Sequence, residues 1–222
     1  MSDPRWADVH SWIVGHTVPE DDALREAVER ADAAGVPPIQ VDAPMGKFLN
    51  LLVRMTGAQR ILEIGTLAGY STIWMARGLP ADGKLITLEY DPMHAEVAEK
   101  NIAAAGLDGL VDVRVGAALD ELPRISEAGE GPFDLVFIDA DKSSYDKYLA
   151  WALDLTRVGS VIVGDNIVRG GRTLEDPEDE GSQGMQRFME ILASDPRIDA
   201  TVIQTVGAKS WDGFAIGIVV ET

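Results

Sequence analysis

The chain has no cysteine among its 222 residues, which excludes a disulfide scaffold, a thiolate zinc site and a thiol nucleophile, and suits a reducing compartment. Any metal must therefore sit on oxygen or histidine, and histidine is scarce, at three residues. Long apolar runs are missing too. The longest nearly unbroken one, Gly213 to Val220, falls far short of the ~20 residues that span a bilayer. The first residues, Met1 to Asp8, lack the basic-then-apolar order of a secretory signal. Positive charge is also short: 19 Lys and Arg stand against 37 Asp and Glu, a net charge of −18. That excess keeps a domain soluble and repels phosphate backbones, so general nucleic-acid binding is not expected. These shortages predict a soluble, cytoplasmic protein with no membrane or nucleic-acid partner.

What is present is enough apolar residue, 46%, for a sizeable core. At this length the prior is one domain, 1–222, in which N-terminal helices (1–57) cover an α/β core (58–222). Helices are expected near Pro4–Val14, Glu20–Ala34 and Pro44–Met55. From Arg60 onward, β-branched runs alternate with stretches of helical period, the pattern of parallel strands joined by crossover helices. The strands fall at Arg60–Ile64, Lys84–Glu89, Val111–Val115, Asp134–Ile138 and Ser160–Val163. Helices fall near Ser71–Arg77, Pro92–Ala105, Ala117–Ile125 and Ser144–Thr156. The glycine-rich, acidic stretch Arg169 to Gly184 reads as a long mobile loop. Thr201–Val206 and Phe214–Val220, joined by Gly207 to Gly213, read as an antiparallel pair.

Two places on this layout carry chemistry. The first is the strand end Ile61 to Ile64, which runs through Gly65 and Gly69 into a helix. Ligands of open α/β sheets bind at carboxyl ends of strands, where glycine lets the backbone approach closely. The spacing is not the G-x-G-x-x-G of dinucleotide sites, but Glu89 closes the next strand, where a carboxylate can accept from ribose hydroxyls. An adenine nucleoside fits this pattern; the bland alternative is a tight turn beside a solvated acid. The second place is the pair of strand ends Phe137-Ile138-Asp139 and Val163-Gly164-Asp165-Asn166. Neighbouring parallel strands lie about 4.8 Å apart, so two carboxylates and an amide oxygen can converge there as a hard oxygen set suited to magnesium, manganese or calcium. Lys142 follows Asp139 by three residues and taken alone is a surface lysine.

The segments Leu62 to Thr72, Phe133 to Lys142 and Gly164 to Asn166, in this order and spacing from about Ile39 to the end, resemble the metal-dependent O-methyltransferases of the caffeoyl-CoA and catechol type. The resemblance implies a Rossmann-like class I methyltransferase fold: a mostly parallel seven-stranded sheet, helices on both faces and a C-terminal antiparallel strand. It implies S-adenosylmethionine as donor, a divalent cation, magnesium first, and a small catechol-like acceptor. By position, Asp139, Asp165 and Asn166 would hold the metal and Lys142 would be the general base. Glu89 would bind the ribose, Glu63, Gly65 and Ser71 would flank the methionine moiety, Val41 would touch the donor, and Ala118 would offer backbone near the adenine. Asp139 would serve both metal and donor. A positive ion beside an ammonium favours the neutral amine, which can then take a proton. A homodimer is also implied, with Trp6 and Trp12 available for a contact.

The sequence departs from the family at Gln186, where relatives often carry Phe-Asn, and at Val158-Gly159-Ser160, in place of Pro-Gly-Gly. Trp211, placed in the hairpin loop, is the aromatic expected near an acceptor ring, and Arg169 and Arg172 read as solvated loop arginines, with contact to an anionic acceptor tail such as a phosphate as the alternative. Competing functions are methylation of a hydroxylated tRNA base, which the charge of −18 opposes, a nicotinamide-dependent oxidoreductase, which the missing glycine fingerprint opposes, and a non-catalytic adenosyl-ligand sensor.

Overall fold

Three strands buried along nearly their whole length, Arg60–Ile64, Lys84–Glu89 and Phe133–Ile138, organise the chain. The computed structural model describes residues 3–208 and 211–221, and these fall into two compact units: Trp12–Arg124, and Ile125 onward together with residues up to Ser11. Helix α1 (Pro4–Thr17) leads in.

In the first unit, α2 (Asp22–Ala33) starts where the Asp21 carboxylate accepts the Leu24 amide at 3.1 Å. Asp42 caps α3 (Ala43–Thr56) through the Met45 amide at 3.0 Å, and Gly57 ends it at φ +64°. Such caps satisfy amides that the first turn leaves orphaned. Strand β1 (Arg60–Ile64) is exposed only at Arg60 and pairs in parallel with β2 (Lys84–Glu89), which pairs in parallel with β3 (Val111–Val115). Burial on both faces is what a parallel sheet demands, and it explains the unbroken Ile-Leu-Glu-Ile and Leu-Ile-Thr-Leu runs. Helices α4 (Tyr70–Ala76), α5 (Pro92–Ala104) and α6 (Ala118–Glu127) follow the three strands.

The second unit runs β4 (Phe133–Ile138), α7 (Tyr145–Asp154), β5 (Thr156–Gly164), α8 (Arg172–Glu175), α9 (Glu180–Ser194), β6 (Ile198–Val206) and β7 (Trp211–Val219). The strand order is β3-β2-β1 in the first unit and β4-β5-β7-β6 in the second. β4 and β5 are parallel; β7 runs antiparallel to both β5 and β6, so the expected C-terminal antiparallel pair is present. Phe188 of α9 is buried over Gly164, where a Cβ would lie 2.9 Å from its ring. Burying one such side chain is worth about 1.5–3 kcal/mol.

Three expectations need correction. Residues 169–184 are not a long loop: a 310 turn (Arg169–Gly171), α8 and the start of α9 occupy most of them. Asp179 caps α9 by accepting the Ser182 amide at 2.7 Å, and Met185 and Phe188 on α9 are buried, so capping and packing overrode the loop-like composition. Trp211 does not sit in the hairpin loop; it opens β7, opposite Val206. Lys209 and Ser210 of that loop lie outside the described residues. β5 starts at Thr156 rather than Ser160, and its register against β4 shifts between Phe133 and Leu135. Ser160 accounts for the irregular stretch: its hydroxyl donates to the Phe133 carbonyl at 2.7 Å and accepts the Arg157 amide at 3.1 Å.

Candidate functional site

In the first unit, the turn after β1 is the predicted nucleoside cradle. Gly65 (φ +102°) and Gly69 (φ +81°) adopt backbone conformations that favour glycine, and between them Leu67 sits at φ +51°. For a leucine that costs on the order of 1–3 kcal/mol and persists only where surroundings enforce it. Glu89 does the enforcing. Its Oε2 accepts the amides of Thr66 at 3.2 Å and Leu67 at 2.7 Å, and its Oε1 accepts the Asp91 amide at 2.9 Å. A carboxylate offers about four acceptor positions, so three backbone amides leave room for one further donor. His94, unremarkable in sequence, places Nδ1 3.6 Å from the same Oε1.

Glu63 is wholly buried, and its carboxylate accepts hydroxyls from Ser71, Thr72 and, at 2.7 Å, Thr87. It ties the start of α4 to β1 and β2, and the Ser71 hydroxyl is turned toward it. Val41 is buried just ahead of the Asp42 cap, and Ala118 opens α6 two residues after Gly116 (φ +157°).

In the second unit, ladder pairing brings the acids together. Ile138 of β4 is in register with Gly164 of β5, and the Asp165 amide donates to the Ile138 carbonyl at 3.0 Å, so Asp139 and Asp165 leave adjacent strand ends. Lys142 Nζ donates to Asp139 Oδ1 at 2.8 Å and to the Tyr145 hydroxyl at 2.9 Å. Tyr145 is fully buried, its hydroxyl 2.8 Å from the Ile138 carbonyl and 2.9 Å from the Asp165 carbonyl. Burial, then the charges of Asp139 and Asp165, hold its phenol protonated far above the usual range. The Asp165 carboxyl is desolvated; that, together with the charge of Asp139, pushes it well above the ordinary carboxylate range, against the opposing pull of the Asn166 amide and Lys142. Asn166 stands at φ +58° and its Nδ2 donates to Asp212 Oδ2 at 3.2 Å.

Two carboxylates that repel each other and an amide next in sequence to one of them offer the hard oxygen donors that suit a divalent cation. Among the described residues no group of three or more His, Asp or Glu side chains is placed to hold a metal. Tyr145 and Asp212 were not singled out by sequence; only the alternation of the buried face of α7 could have flagged the tyrosine. Arg169 is not a solvated loop arginine: it is largely covered and pairs with Asp179 at 3.0 Å. Arg172 is exposed as expected. Gln186 donates to the Thr173 carbonyl at 2.9 Å, holding α9 to α8. Trp211 Nε1 donates to Gln204 at 2.9 Å, and its ring edge lies near Gly171.

The lysine is placed by a close approach. A Cβ at Gly184 would meet the Lys142 carbonyl oxygen at 2.1 Å and the Ser143 backbone at 2.8 Å. Neither atom can swing aside, so Gly184→Ala forces α9 away from the Lys142 turn. We expect a loss of about 1–3 kcal/mol in denaturant unfolding.

A model of the O-methyltransferase family matches residues 15–212. The chain is 53% identical to a catechol O-methyltransferase of Niastella koreensis over 201 residues, covering 90% of this chain and 91% of that one. It is 50% identical over 216 residues to a catechol O-methyltransferase of Mycobacterium tuberculosis, covering 97% of both. The crystal structure of an O-methyltransferase from Bacillus cereus in complex with S-adenosylhomocysteine superimposes with a TM-score of 0.95 at 46% identity, over 97% of this chain and 98% of that chain. No helix among the described residues is long and apolar enough to cross a membrane.

Proposed function

The chain belongs to the O-methyltransferase family, and from that premise we propose that it moves a methyl group from S-adenosylmethionine to one hydroxyl of a small catechol-like acceptor. Asp139, Asp165 and Asn166 hold a magnesium-like ion, and Lys142 is the general base. The observation that carries this reading is the pairing of Ile138 with Gly164, which sets Asp139 beside Asp165 with Lys142 on the first of them at 2.8 Å. Relatives named catechol O-methyltransferase at 50 and 53% identity support the acceptor class.

The donor reading rests on the cradle and on the S-adenosylhomocysteine of the Bacillus cereus structure, which is what the donor becomes once its methyl has left. Gly65 and Leu67 offer backbone and Glu89 its remaining acceptor position to the nucleoside. Glu63 acts through the Ser71 hydroxyl that it holds, and Val41, Ala118 and Asp139 complete the donor contacts.

In the transfer an oxygen–carbon bond forms and the sulfonium carbon–sulfur bond breaks, leaving a neutral thioether. The hydroxyl proton must go elsewhere, since a neutral phenol, with a pKa of about 10, is a poor nucleophile. A bound divalent ion supplies Lewis-acid stabilisation of negative charge on the acceptor oxygen. Lys142, steered by Tyr145 and Asp139, takes the proton. Tyr145 keeps its own proton and does not compete for this one.

Offering a catechol and the matching monophenol in separate reactions, with mass spectrometry of the products, tests the acceptor class. We expect methylation of the catechol and little of the monophenol; equal rates contradict chelation.

A further inference from the structure

Asp212, the second residue of β7, belongs to neither the proposed ligands nor the proposed base, yet it holds the segment that carries Asn166. Its Oδ1 accepts the backbone amides of Val168 at 3.2 Å, Arg169 at 2.9 Å and Gly213 at 2.9 Å. Its Oδ2 accepts from Asn166 Nδ2 at 3.2 Å. The aspartate itself is held in place: a Cβ on the adjoining Gly213 would meet the Ile203 carbonyl at 2.7 Å and the Val168 side chain at 2.9 Å, so β7 lies tight against its neighbours there.

Asn166 differs from Asp139 and Asp165 in one respect that matters for a cation. Either oxygen of a carboxylate can ligate, whereas only one end of a primary amide can. An amide that presents its NH2 to a cation is repelled rather than bound. An ionised carboxylate accepts hydrogen bonds and donates none, so Asp212 is compatible with only one orientation of the Asn166 amide: NH2 toward Asp212, oxygen away. We propose that Asp212 is a positioning residue that fixes this amide so that Asn166 Oδ1 is presented as the third oxygen of the cation set. The proposal rests on the ligand set given under Proposed function.

Asp212→Asn separates orientation from fold. Its side-chain oxygen can keep the three backbone amides, which places its NH2 against Asn166 and drives that amide to turn over. In the full-length protein titrated with Mn2+ and followed by electron paramagnetic resonance, we expect the dissociation constant to rise by roughly tenfold or more, the range typical of losing a partner that orients a ligand. We also expect the bound Mn2+ to gain one coordinated water, read from line broadening in water carrying a magnetic oxygen isotope. The exchanged pair, Asp212→Asn with Asn166→Asp, restores an oxygen facing the cation and pairs the other carboxylate oxygen with the amide NH2, so both readouts return toward the wild type.

Unchanged affinity in Asp212→Asn overturns the proposal. So does weaker binding with an unchanged water count, since that is what loss of a nearby negative charge alone produces. If the single variant does not fold, the exchanged pair carries the test, and weak Mn2+ binding by that folded pair overturns the orienting role. A wild type that takes up no Mn2+ overturns the ligand set and the proposal together, whereas wild-type binding with an indifferent Asp212→Asn overturns the proposal alone.

Discussion

Lys142→Met lowers kcat for methyl transfer to a catechol by roughly 10²- to 10⁴-fold, the span usual for losing a general base, while S-adenosylhomocysteine binding measured by calorimetry is unchanged. Methionine keeps most of the apolar stem of lysine and removes the amine that the structure places 2.8 Å from Asp139 and 2.9 Å from the Tyr145 hydroxyl. Most of the proposed donor contacts, Gly65 to Gly69 and Glu89 among them, are other residues, and Asp139, which Lys142 does touch, keeps its carboxylate in this variant. Lys142→Arg sharpens the point. Arginine keeps the positive charge but does not deprotonate in proteins, so it does not restore the rate. An arginine variant with wild-type kcat shows that the lysine supplies charge alone.

Asp165→Asn has opposite effects on function and on fold. Steady-state transfer falls by at least the roughly 100-fold that marks the upper end for losing a supporting partner of a metal ligand, because this variant removes one of the proposed ligands itself. The metal-free protein, in contrast, becomes more stable at neutral and mildly alkaline pH. In the folded chain, burial and the charge of Asp139 push the Asp165 carboxyl up to about 8, whereas the unfolded chain returns it to about 3.9. Between those values the native state holds a proton that the unfolded state has lost, so raising the pH through this window destabilises the fold. The wild-type melting temperature without metal therefore declines from pH 5 toward pH 8, and Asp165→Asn, which has no proton to lose there, shows a flatter profile. Magnesium restores the wild type most at the alkaline end and leaves the variant unmoved. A wild-type melting temperature that rises across the window contradicts the assignment.

Elements whose cause is local were legible in the sequence. β1 and β2 form at the expected residues because each is a short, mostly apolar run bounded by turn or polar residues, and β3 because its valines alternate with charged residues at the strand period. The Asp91-Pro92 start of α5 declares itself through cap chemistry. Asp139 and Asp165 stood out because each ends a buried run where a charge has no business inside the sheet.

What failed had distant causes. Residues 169–184 are rich in glycine and acid, yet α9 forms because its face finds Gly164 and the Lys142 turn, 20 or more residues back in the chain. The importance of Tyr145 and Asp212 depends on which carbonyls and amides the fold brings to them, and no spacing in the sequence encodes that. Glu89 drew notice by its distance from Gly69 as a candidate ribose acceptor, but no spacing marks it as the acceptor of three backbone amides that hold a leucine at positive φ.

The most direct measurement follows transfer of an isotopically labelled methyl group from S-adenosylmethionine to a catechol, with the same enzyme sample assayed as purified, after exhaustive EDTA treatment, and after magnesium is added back. Transfer that disappears with the chelator and returns with magnesium is the expected result. Transfer that proceeds undiminished in EDTA contradicts the role given to Asp139, Asp165 and Asn166.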